Sequence, residues 1–155
     1  MSFNYMKTLL VLSVLLACLS AAGVCHAQLE MNLDTSMVSF GSIDKSDLDA
    51  GFVELTPDAP SYALSVTVTD PEAQDWILYT RASDSHFTAS TGVKPCGDLQ
   101  WRLNGLGSYS PYTTSDAAAA TGNGNATVDF DFKMLTSWAD RPDTYGIDVV
   151  FTISN

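Results

Sequence analysis

The sequence predicts an all-β domain in which two antiparallel β-sheets pack face to face, and three observations support this. Apolar and polar residues alternate with a period of two through most of residues 28–155. No window of a dozen residues keeps the 3.6-residue apolar stripe of an amphipathic helix. Clusters of Gly, Pro, Asn and Asp separate the alternating segments, as turns do between antiparallel strands. Without helices to form parallel crossovers, the strands are expected to follow one another through turns.

The alternating segments place the strands along the chain. We predict strands at residues 29–33, 37–40, 52–55, 62–69, 76–81, 99–103, 128–134 and 145–153. In the strand at 128–134, the apolar residues at every second position face the core, and Asp129, Asp131 and Lys133 face solvent. About seven to nine short antiparallel strands of this kind indicate an immunoglobulin-like β-sandwich.

Two long segments between the strands, at residues 83–98 and 105–124, are predicted to be loops. The second contains four consecutive alanines after Ser115 and Asp116, and either of these two residues can cap a helix N-terminus. We expect at most one helical turn there, because so short a helix is not stable alone.

The N-terminal segment has the features of a removable export signal. Lys7 precedes an apolar run at residues 9–17, which is too short for a permanent membrane-spanning helix. Small side chains end the segment, so we expect cleavage after Ala27. Residues 1–27 are thus predicted to be a signal peptide, and residues 28–155 a single β-sandwich domain without a transmembrane segment. This domain is expected to be secreted or to lie at the cell surface, after periplasmic transit if the cell is Gram-negative.

The cysteines leave two alternatives open. Cys18 follows Leu16 and Ala17, and a lipoprotein signal at this point would anchor an acylated Cys18 in a membrane. Cleavage after Ala27 instead leaves Cys96 as the only cysteine. A single thiol in an exported protein is either buried as a small apolar side chain or paired with a second molecule.

Composition and charge exclude several classes of protein. The 18 Asp and Glu residues against 7 Lys and Arg residues give a formal net charge of −11. No two basic residues are adjacent, which argues against nucleic-acid binding, because neutralising phosphates requires clustered basic side chains. The hydrophobic share of 46% is too high for a disordered chain, so we expect a globular domain.

Candidate catalytic groups are few, and we predict that the protein is not an enzyme. The predicted mature chain has one histidine, His86, which follows Asp84 and Ser85. These are the residue types of a hydrolase triad, but adjacent residues are not expected to bring their side chains together. Asp129 and Asp131 share a strand face about 7 Å apart, near the separation of glycosidase carboxylates. A carbohydrate-active hydrolase is therefore one alternative, and a solvated surface is the simpler interpretation.

No cofactor or metal is predicted. Asp44, Asp47, Asp49 and Asp58 form an acidic segment that could supply oxygen ligands to calcium, although their spacing does not match a helix-loop-helix site. The alternative is a hydrated acidic loop. One histidine and one cysteine cannot close a zinc site.

Aromatic residues are the better candidates for binding. Tyr109 and Tyr112 flank Pro111 in the second long loop, where a stiffened backbone could hold both rings toward solvent. Exposed tyrosines of this kind can stack on sugars or on a partner surface. The alternative is that the tyrosines pack the loop, with Trp76 and Trp101 filling the core of the sandwich.

Trp76-Ile77-Leu78 follows a strand and a proline-containing turn, and residues 143–153 form an alternating last segment that ends in Phe151-Thr152-Ile153. In these features the chain resembles the WxL cell-surface domain, which carries its first Trp-x-Leu motif where Trp76-Ile77-Leu78 stands and its second where Phe151-Thr152-Ile153 stands. Trp101-Arg102-Leu103 repeats the motif in the middle of the chain. The resemblance implies non-covalent attachment to the bacterial cell wall through peptidoglycan. Its implied binding residues are Trp76, Leu78, Trp101 and Leu103.

The chain is more loosely similar to spore coat protein U and to fimbrial subunits, through Ser39-Phe40-Gly41, an alternating N-terminal strand and a tyrosine-led last strand. In chaperone-assembled pili the N-terminal strand completes the sheet of a neighbouring subunit. This resemblance implies that Leu29, Met31 and Leu33 form an assembly strand in a homo-oligomer. Such subunits usually carry a disulfide, which Cys96 alone cannot form within one chain.

The sequence therefore predicts a non-enzymatic, secreted bacterial surface protein with a structural or adhesive role. Its expected partner is a cell-envelope polymer, as in WxL-like wall binding, or another surface-protein subunit. A fimbrial subunit that assembles through its N-terminal strand is the main alternative.

Overall fold

The computed structural model describes residues 28–55 and 62–155. Over these residues the chain forms nine strands in two antiparallel sheets and one α-helix, which confirms the all-β prediction. The elements are β1 (Glu30–Leu33), α1 (Lys45–Ala50), β2 (Phe52–Leu55), β3 (Leu64–Thr69), β4 (Asp75–Ala82), β5 (Leu99–Leu103), β6 (Ser110–Pro111), β7 (Ala117–Asn123), β8 (Ala126–Leu135) and β9 (Val149–Ser154). The predicted signal peptide, the alternative lipid anchor at Cys18 and the acidic residue Asp58 lie outside the described residues.

Strand β8 is the centre of the larger sheet. On one side, its residues 126–130 pair with β3 and its residues 132–135 pair with β2. On the other side, its residues 130–134 pair with β5. Strand β1 extends the sheet beyond β3, and the two-residue strand β6 extends it beyond β5. Three strands therefore take backbone partners directly from β8.

The smaller sheet has three strands, in the order β7, β4, β9. Strand β4 is central because it pairs with β7 along one edge and with β9 along the other. Its buried residues alternate with half-buried ones, so that Trp76, Leu78 and Thr80 face inward and Tyr79 faces outward. A register shift between Leu78 and Tyr79 interrupts the pairing with β7.

One core joins the two sheets. The apolar side chains buried in it come from both sheets and from the connecting segments: Leu64, Val66, Val68, Trp76, Leu78, Ala82, Phe87, Cys96, Leu99, Trp101, Tyr112, Val128, Phe130, Phe132 and Met134. Phe130 of β8 meets Phe151 of β9 edge to face, with ring centroids 5.2 Å apart. Burial of the four alternate apolar residues of β8 confirms the predicted inward face of that strand.

The strand predicted at residues 37–40 is wrong. This segment has no ladder partner, and short side-chain contacts bend it locally: Thr35 Oγ1 accepts a hydrogen bond from Met37 N, and Ser39 Oγ accepts one from Gly41 N. Val38 and Phe40 still pack against the core. Alternation therefore predicted the apolar face correctly, but a strand also requires a neighbour with free backbone groups.

The alanine run predicted to lie in a loop, with at most one helical turn, is also different in the structure. Residues 117–123 form strand β7, which pairs with β4 in the smaller sheet. Alanine has high helix propensity, but the backbone partners offered by β4 outweigh that local preference. The small side chains suit this position, since Gly122 lies directly against the Trp76 ring.

The segment at residues 83–98 is fixed to the segment that precedes β9. Thr88 and Gly146 exchange two backbone hydrogen bonds of 2.7 and 3.0 Å. Lys94, which is buried, donates to Asp98 at 2.9 Å and to Asp140 at 2.8 Å. The predicted loop is therefore ordered by specific contacts. As predicted, Tyr145 and Ile147 pack against the core, although the last strand begins only at residue 149.

Asp143 adds a further contact to this segment. Its Oδ2 accepts hydrogen bonds from the backbone N–H of Thr91 at 2.6 Å and of Gly92 at 3.1 Å. These bonds, followed by the one from Thr144 N, favour the ionised carboxylate and hold the pKa of Asp143 well below its ordinary value.

We predict that Gly122→Ala destabilises the protein by about 1–3 kcal/mol, as overpacking of a core does. The added Cβ would lie 2.8 Å from Cε2 of Trp76, which is buried and has no free space to move into. Urea denaturation followed by fluorescence measures the change. Gly146→Ala is the matched control, because its Cβ would meet nothing within 4 Å. Equal stability of the two variants would contradict the packing described here.

We predict that Asp143→Asn lowers stability at neutral pH and that its difference from wild type disappears in acid. The folded-state pKa is depressed, so the carboxylate stabilises the fold above the ordinary Asp pKa of about 3.9. This contribution is lost as the pH falls from that value toward the folded-state pKa. Thermal unfolding at a series of pH values tests it, and a constant difference across the series would contradict it.

Candidate functional site

The outer face of the larger sheet carries a cluster of aromatic and charged side chains where β2, β8 and β5 lie side by side. We call this cluster the aromatic–cation patch, and its members are Phe52, Glu54, Arg102, Tyr109, Asp131 and Lys133. The strand registers bring them together, since Glu54 lies opposite Lys133 and Arg102 lies opposite Asp131. Tyr109 comes from the segment between β5 and β6.

Cations and aromatic rings alternate across the patch. The guanidinium carbon of Arg102 lies 4.4 Å from the centroid of the Tyr109 ring, and Lys133 Nζ lies 4.5 Å from it. Lys133 Nζ also lies 4.7 Å from the centroid of the Phe52 ring. Each distance is within the range of a cation–π interaction. The side chains thus form a row in the order Phe52, Lys133, Tyr109, Arg102.

Each cation of the row also has a carboxylate partner. Arg102 Nε donates to Asp131 Oδ2 at 3.0 Å, and Lys133 Nζ lies 3.2 Å from Glu54 Oε1. Two cations and two carboxylates give the patch a formal charge of zero, whereas the whole chain carries −11. The patch is therefore a neutral surface on a strongly acidic protein.

The environment of the patch shifts the pKa values of Tyr109 and Arg102 upward. Burial, followed by the charge of Glu54, raises the pKa of Tyr109, so the phenol is protonated at neutral pH. Burial lowers the pKa of Arg102, but the hydrogen bond with Asp131 and the surrounding negative charges together raise it by more, and the net pKa lies above its ordinary value. The Tyr109 hydroxyl is itself buried and makes no hydrogen bond to the described residues.

Asp131 is not on a solvated surface, and this prediction is wrong. Its exposed fraction is only 2%, because the chain after β5 folds over the outer face of the sheet. The carboxylate accepts hydrogen bonds from Arg102 Nε at 3.0 Å, Asn104 Nδ2 at 3.0 Å and Gly105 N at 3.1 Å. Three donors, one of them charged, compensate the loss of hydration.

The second carboxylate of the proposed hydrolase pair has a different environment. Asp129 is half-buried, and its Oδ1 accepts a hydrogen bond from Ser65 Oγ at 2.7 Å. The pair predicted from strand spacing is thus engaged in separate contacts, with Asp131 holding the chain after β5 and Asp129 holding β3.

The Trp-x-Leu residues implied by the WxL resemblance lie in the core. Trp76 is 2% exposed, and its indole N–H donates to Gly124 O at 2.8 Å. Leu78 and Trp101 are buried, and Leu103 is half-buried and packs against the core. Trp76 and Trp101 therefore match the alternative interpretation, in which both tryptophans fill the core. A surface role for these side chains would require the core to open.

Tyr109 and Tyr112 do not share an environment. Tyr112 is 2% exposed, so the prediction that its ring points toward solvent is wrong. Its backbone N–H donates to Leu99 O, which continues the pairing with β5 and draws the ring inward, where its hydroxyl lies 3.2 Å from Thr80 Oγ1. Burial raises the pKa of Tyr112 well above its ordinary value. Only Tyr109 of the predicted pair belongs to the outer surface.

The predicted assembly strand corresponds to β1. It is an edge strand that pairs with β3 through four residue pairs, from Glu30 opposite Thr69 to Leu33 opposite Val66. Leu29 and Met31 are only half-buried against the core, and Leu33 is 37% exposed. In contrast, the β3 residues that pair with Leu33 and Met31, which are Val66 and Val68, are fully buried.

Cys96 is buried, and its thiol donates to Tyr112 O at a sulfur–oxygen distance of 3.4 Å. This burial favours the first of the two alternatives, a small apolar side chain, over a thiol that pairs with a second molecule. Intermolecular pairing at Cys96 would require the surrounding segment to move.

The acidic segment proposed for calcium forms a helix cap. Asp44 Oδ1 accepts hydrogen bonds from Ser46 N and Asp47 N, and Asp47 Oδ2 accepts one from Asp44 N, which together make a capping box for α1. Asp49 Oδ1 accepts the indole N–H of Trp138 at 3.2 Å. Within residues 28–55 and 62–155, no group of three or more His, Cys, Asp or Glu side chains is arranged to hold a metal ion.

The Asp84-Ser85-His86 side chains do contact one another, contrary to prediction. Ser85 Oγ lies 2.9 Å from His86 Nδ1 and donates to Asp84 Oδ1 at 3.2 Å. All three residues are exposed. In a hydrolase triad the histidine stands between the acid and the nucleophile, whereas here the serine stands between the other two. The contacts fit a polar turn.

Arg102, Lys133, Glu54 and Phe52 were not singled out from the sequence as a group. The available pattern was weak: single outward-facing charges on three separate strands. Only the registers of β2 and β5 on β8 show that these charges are neighbours.

Comparison with known proteins gives no match to this chain among protein-family profiles, curated proteins or solved structures. Among the residues that the structure describes, no helix has the length and apolarity needed to span a bilayer.

Proposed function

We propose that this protein is a non-enzymatic, exported module of the bacterial cell surface with an adhesive role, and that the aromatic–cation patch is its contact with an envelope polymer. The single observation that supports this is the row of Phe52, Lys133, Tyr109 and Arg102 across three neighbouring strands. Export by a signal peptide at residues 1–27 and an immunoglobulin-like arrangement of the sheets are part of the same proposal.

The shape of the patch suits a polymer. Adjacent strands lie about 4.8 Å apart, so a row across three strands extends for about 10 Å along an open face. Small molecules are usually bound in enclosed pockets that bury most of their surface. An open row of rings and fixed charges instead offers repeated contacts to an extended chain, such as the glycan of a cell wall.

The charge of the patch also suits this role. A surface with a net charge of −11 repels anionic envelope polymers at long range. The patch is locally neutral and presents two cations held in place by Glu54 and Asp131. A polymer with both hydroxyl and carboxylate groups would therefore meet the least repulsion at this face.

The proposal differs from the WxL resemblance in which residues make the contact. Trp76, Leu78 and Trp101 fill the core, so their contribution to wall binding would be indirect, through the stability of the domain. Among the residues predicted to bind, Tyr109 does lie on the outer face of the larger sheet.

We predict that Tyr109→Ala weakens binding to purified peptidoglycan by at least about tenfold. The substitution removes the ring that orders both cations of the row, and truncation of an aromatic anchor at the centre of an interface costs about 2 kcal/mol or more. Co-sedimentation over a range of polymer concentrations measures the affinity. Tyr79→Ala, on the outer face of the smaller sheet, is the matched control. If both variants bind like wild type, or if wild type does not bind, the adhesive proposal is wrong.

A second candidate function is a fibre subunit that donates β1 to a neighbouring copy. The observation in its favour is the weak attachment of this strand, with four residue pairs at a sheet edge and an apolar face only partly buried. The following segment, up to α1, contains no strand or helix. It is held by Asp34, whose N–H donates to Ser65 O and whose Oδ1 accepts from Ser65 N, and by Val38 and Phe40, which pack against the core.

We predict for this candidate that copies carrying Glu30→Cys form disulfide-linked heterodimers with copies carrying Thr69→Cys. The two positions face each other across β1 and β3, so an intermolecular bond reports exchange of the strand. Non-reducing electrophoresis with one tagged copy measures the product. Thr121→Cys, exposed on β7 in the other sheet, is the control partner. If Thr69→Cys and Thr121→Cys give equal amounts of heterodimer, β1 belongs to its own domain.

A further inference from the structure

The segment that follows β5 contains a chemically labile sequence, Asn104-Gly105. Asparagine is a thermolabile residue, and glycine after it leaves the following backbone nitrogen unshielded. In deamidation, Gly105 N loses its proton and forms a bond to Asn104 Cγ, the bond from Cγ to Nδ2 breaks, and Nδ2 takes up a proton and leaves as ammonia. Water then opens the resulting succinimide to aspartate or isoaspartate. The chain has a second such pair, Asn123-Gly124.

The carboxylate of Asp131 holds both reacting nitrogens of the first pair. Asn104 Nδ2 donates to Asp131 Oδ1 at 3.0 Å, and Gly105 N donates to Asp131 Oδ2 at 3.1 Å. The backbone of Asn104 is fixed as well, since its N–H donates to Asp129 O at 2.9 Å. Arg102 Nε also donates to Asp131 Oδ2, but it contacts neither reacting nitrogen.

This geometry opposes the formation of the succinimide. Gly105 N becomes nucleophilic only when it loses its proton, and a carboxylate 3.1 Å away disfavours the anion that would form. Asn104 Nδ2 must also leave as ammonia, which breaks its hydrogen bond to Asp131. Asp131 is buried, so water does not readily replace either hydrogen bond.

We propose that Asn104 is a latent deamidation site, which Asp131 suppresses and whose reaction would dismantle the aromatic–cation patch. The product places an acidic group where Asn104 donated a hydrogen bond, directly against the carboxylate of Asp131. Two like charges at this distance in a buried site repel strongly, and a donor to Asp131 is lost. The segment that carries Tyr109 would detach from the sheet, and the change is irreversible.

The second pair provides an internal reference. Asn123 Nδ2 donates to Ala73 O at 2.6 Å and to Asp75 Oδ1 at 3.2 Å, in the other sheet and away from Asp131. A change at Asp131 therefore acts on Asn104 directly and leaves the local contacts of Asn123 as they are.

The experiment compares deamidation at Asn104 and Asn123 in the same sample by peptide mapping with mass spectrometry and isoaspartate detection. Wild type is incubated at mildly alkaline pH, both folded and in urea. We expect Asn104 to react at least about tenfold more slowly in the folded protein, because two hydrogen bonds to a charged group must break. Equal rates at Asn104 in the folded and unfolded chain would overturn the proposal without any variant.

Two variants identify the group responsible. Asp131→Asn is expected to accelerate the reaction at Asn104 and not at Asn123. Arg102→Met removes the ion pair but leaves both hydrogen bonds to Asp131, so it serves as the matched control and is expected to keep Asn104 slow. If Arg102→Met and Asp131→Asn accelerate Asn104 equally, general loosening of the segment, and not the hydrogen bonds, controls the reaction, and the proposal fails.

The expected loss of peptidoglycan binding rests on the proposed function, whereas the suppression of deamidation by Asp131 does not. Asn104→Asp mimics one product and is expected to lose peptidoglycan binding as Tyr109→Ala does. If Asn104 is protected as described but Asn104→Asp binds like wild type, the link from this site to the patch is wrong. If wild type itself does not bind, the adhesive proposal fails and the deamidation result stands.

Discussion

The pairing of β8 with three other strands is the constraint on which the rest of the structure depends. Because β8 is ten residues long, β3 and β2 can pair with successive halves of one edge while β5 pairs with the other edge. Its inward side chains then fill the core, and Phe130 reaches the smaller sheet through Phe151. Its outward side chains, Asp131 and Lys133, meet the outward residues of β2 and β5. Core and patch are thus two faces of the same strand.

The alternation of apolar and polar residues correctly predicted the strands that bury one whole face. It failed where the presence or absence of a pairing strand decides whether a segment becomes a strand. The inward faces of β4, β5 and β8 follow directly from the apolar positions, because a period of two leaves only one way to bury them. Residues 37–40 show the same alternation but find no partner strand. Residues 117–123 show little alternation, yet β4 provides backbone groups that make them a strand. Whether a segment finds a pairing strand depends on the whole chain, so the local sequence does not predict it.

The candidate site shows the same difference between features that local sequence predicts and features that depend on strand pairing. Tyr109 was predicted because an aromatic ring in a polar, proline-containing segment is an unusual feature that can be read locally. Tyr112, three residues later in the same context, has the opposite environment, since its backbone continues the pairing with β5. Arg102 and Asp131 lie 29 residues apart, and their contact depends on the register of β5 on β8. No local pattern distinguishes an ion pair with a buried carboxylate from two solvated charges.

The burial of Asp131 links the stability of the fold to the chemistry of its surface. An ionised carboxylate at this depth is tolerated only if donors replace its hydration, and the chain after β5 provides them through Asn104 and Gly105. The same bonds fix the segment that carries Tyr109 and keep Arg102 beneath its ring. A hydrophobic residue at position 131 could preserve the strand, but it would leave Arg102 without its partner and this segment without its anchor. The buried charge is therefore best explained by the surface that it organises, since the core on the other face of β8 does not need it.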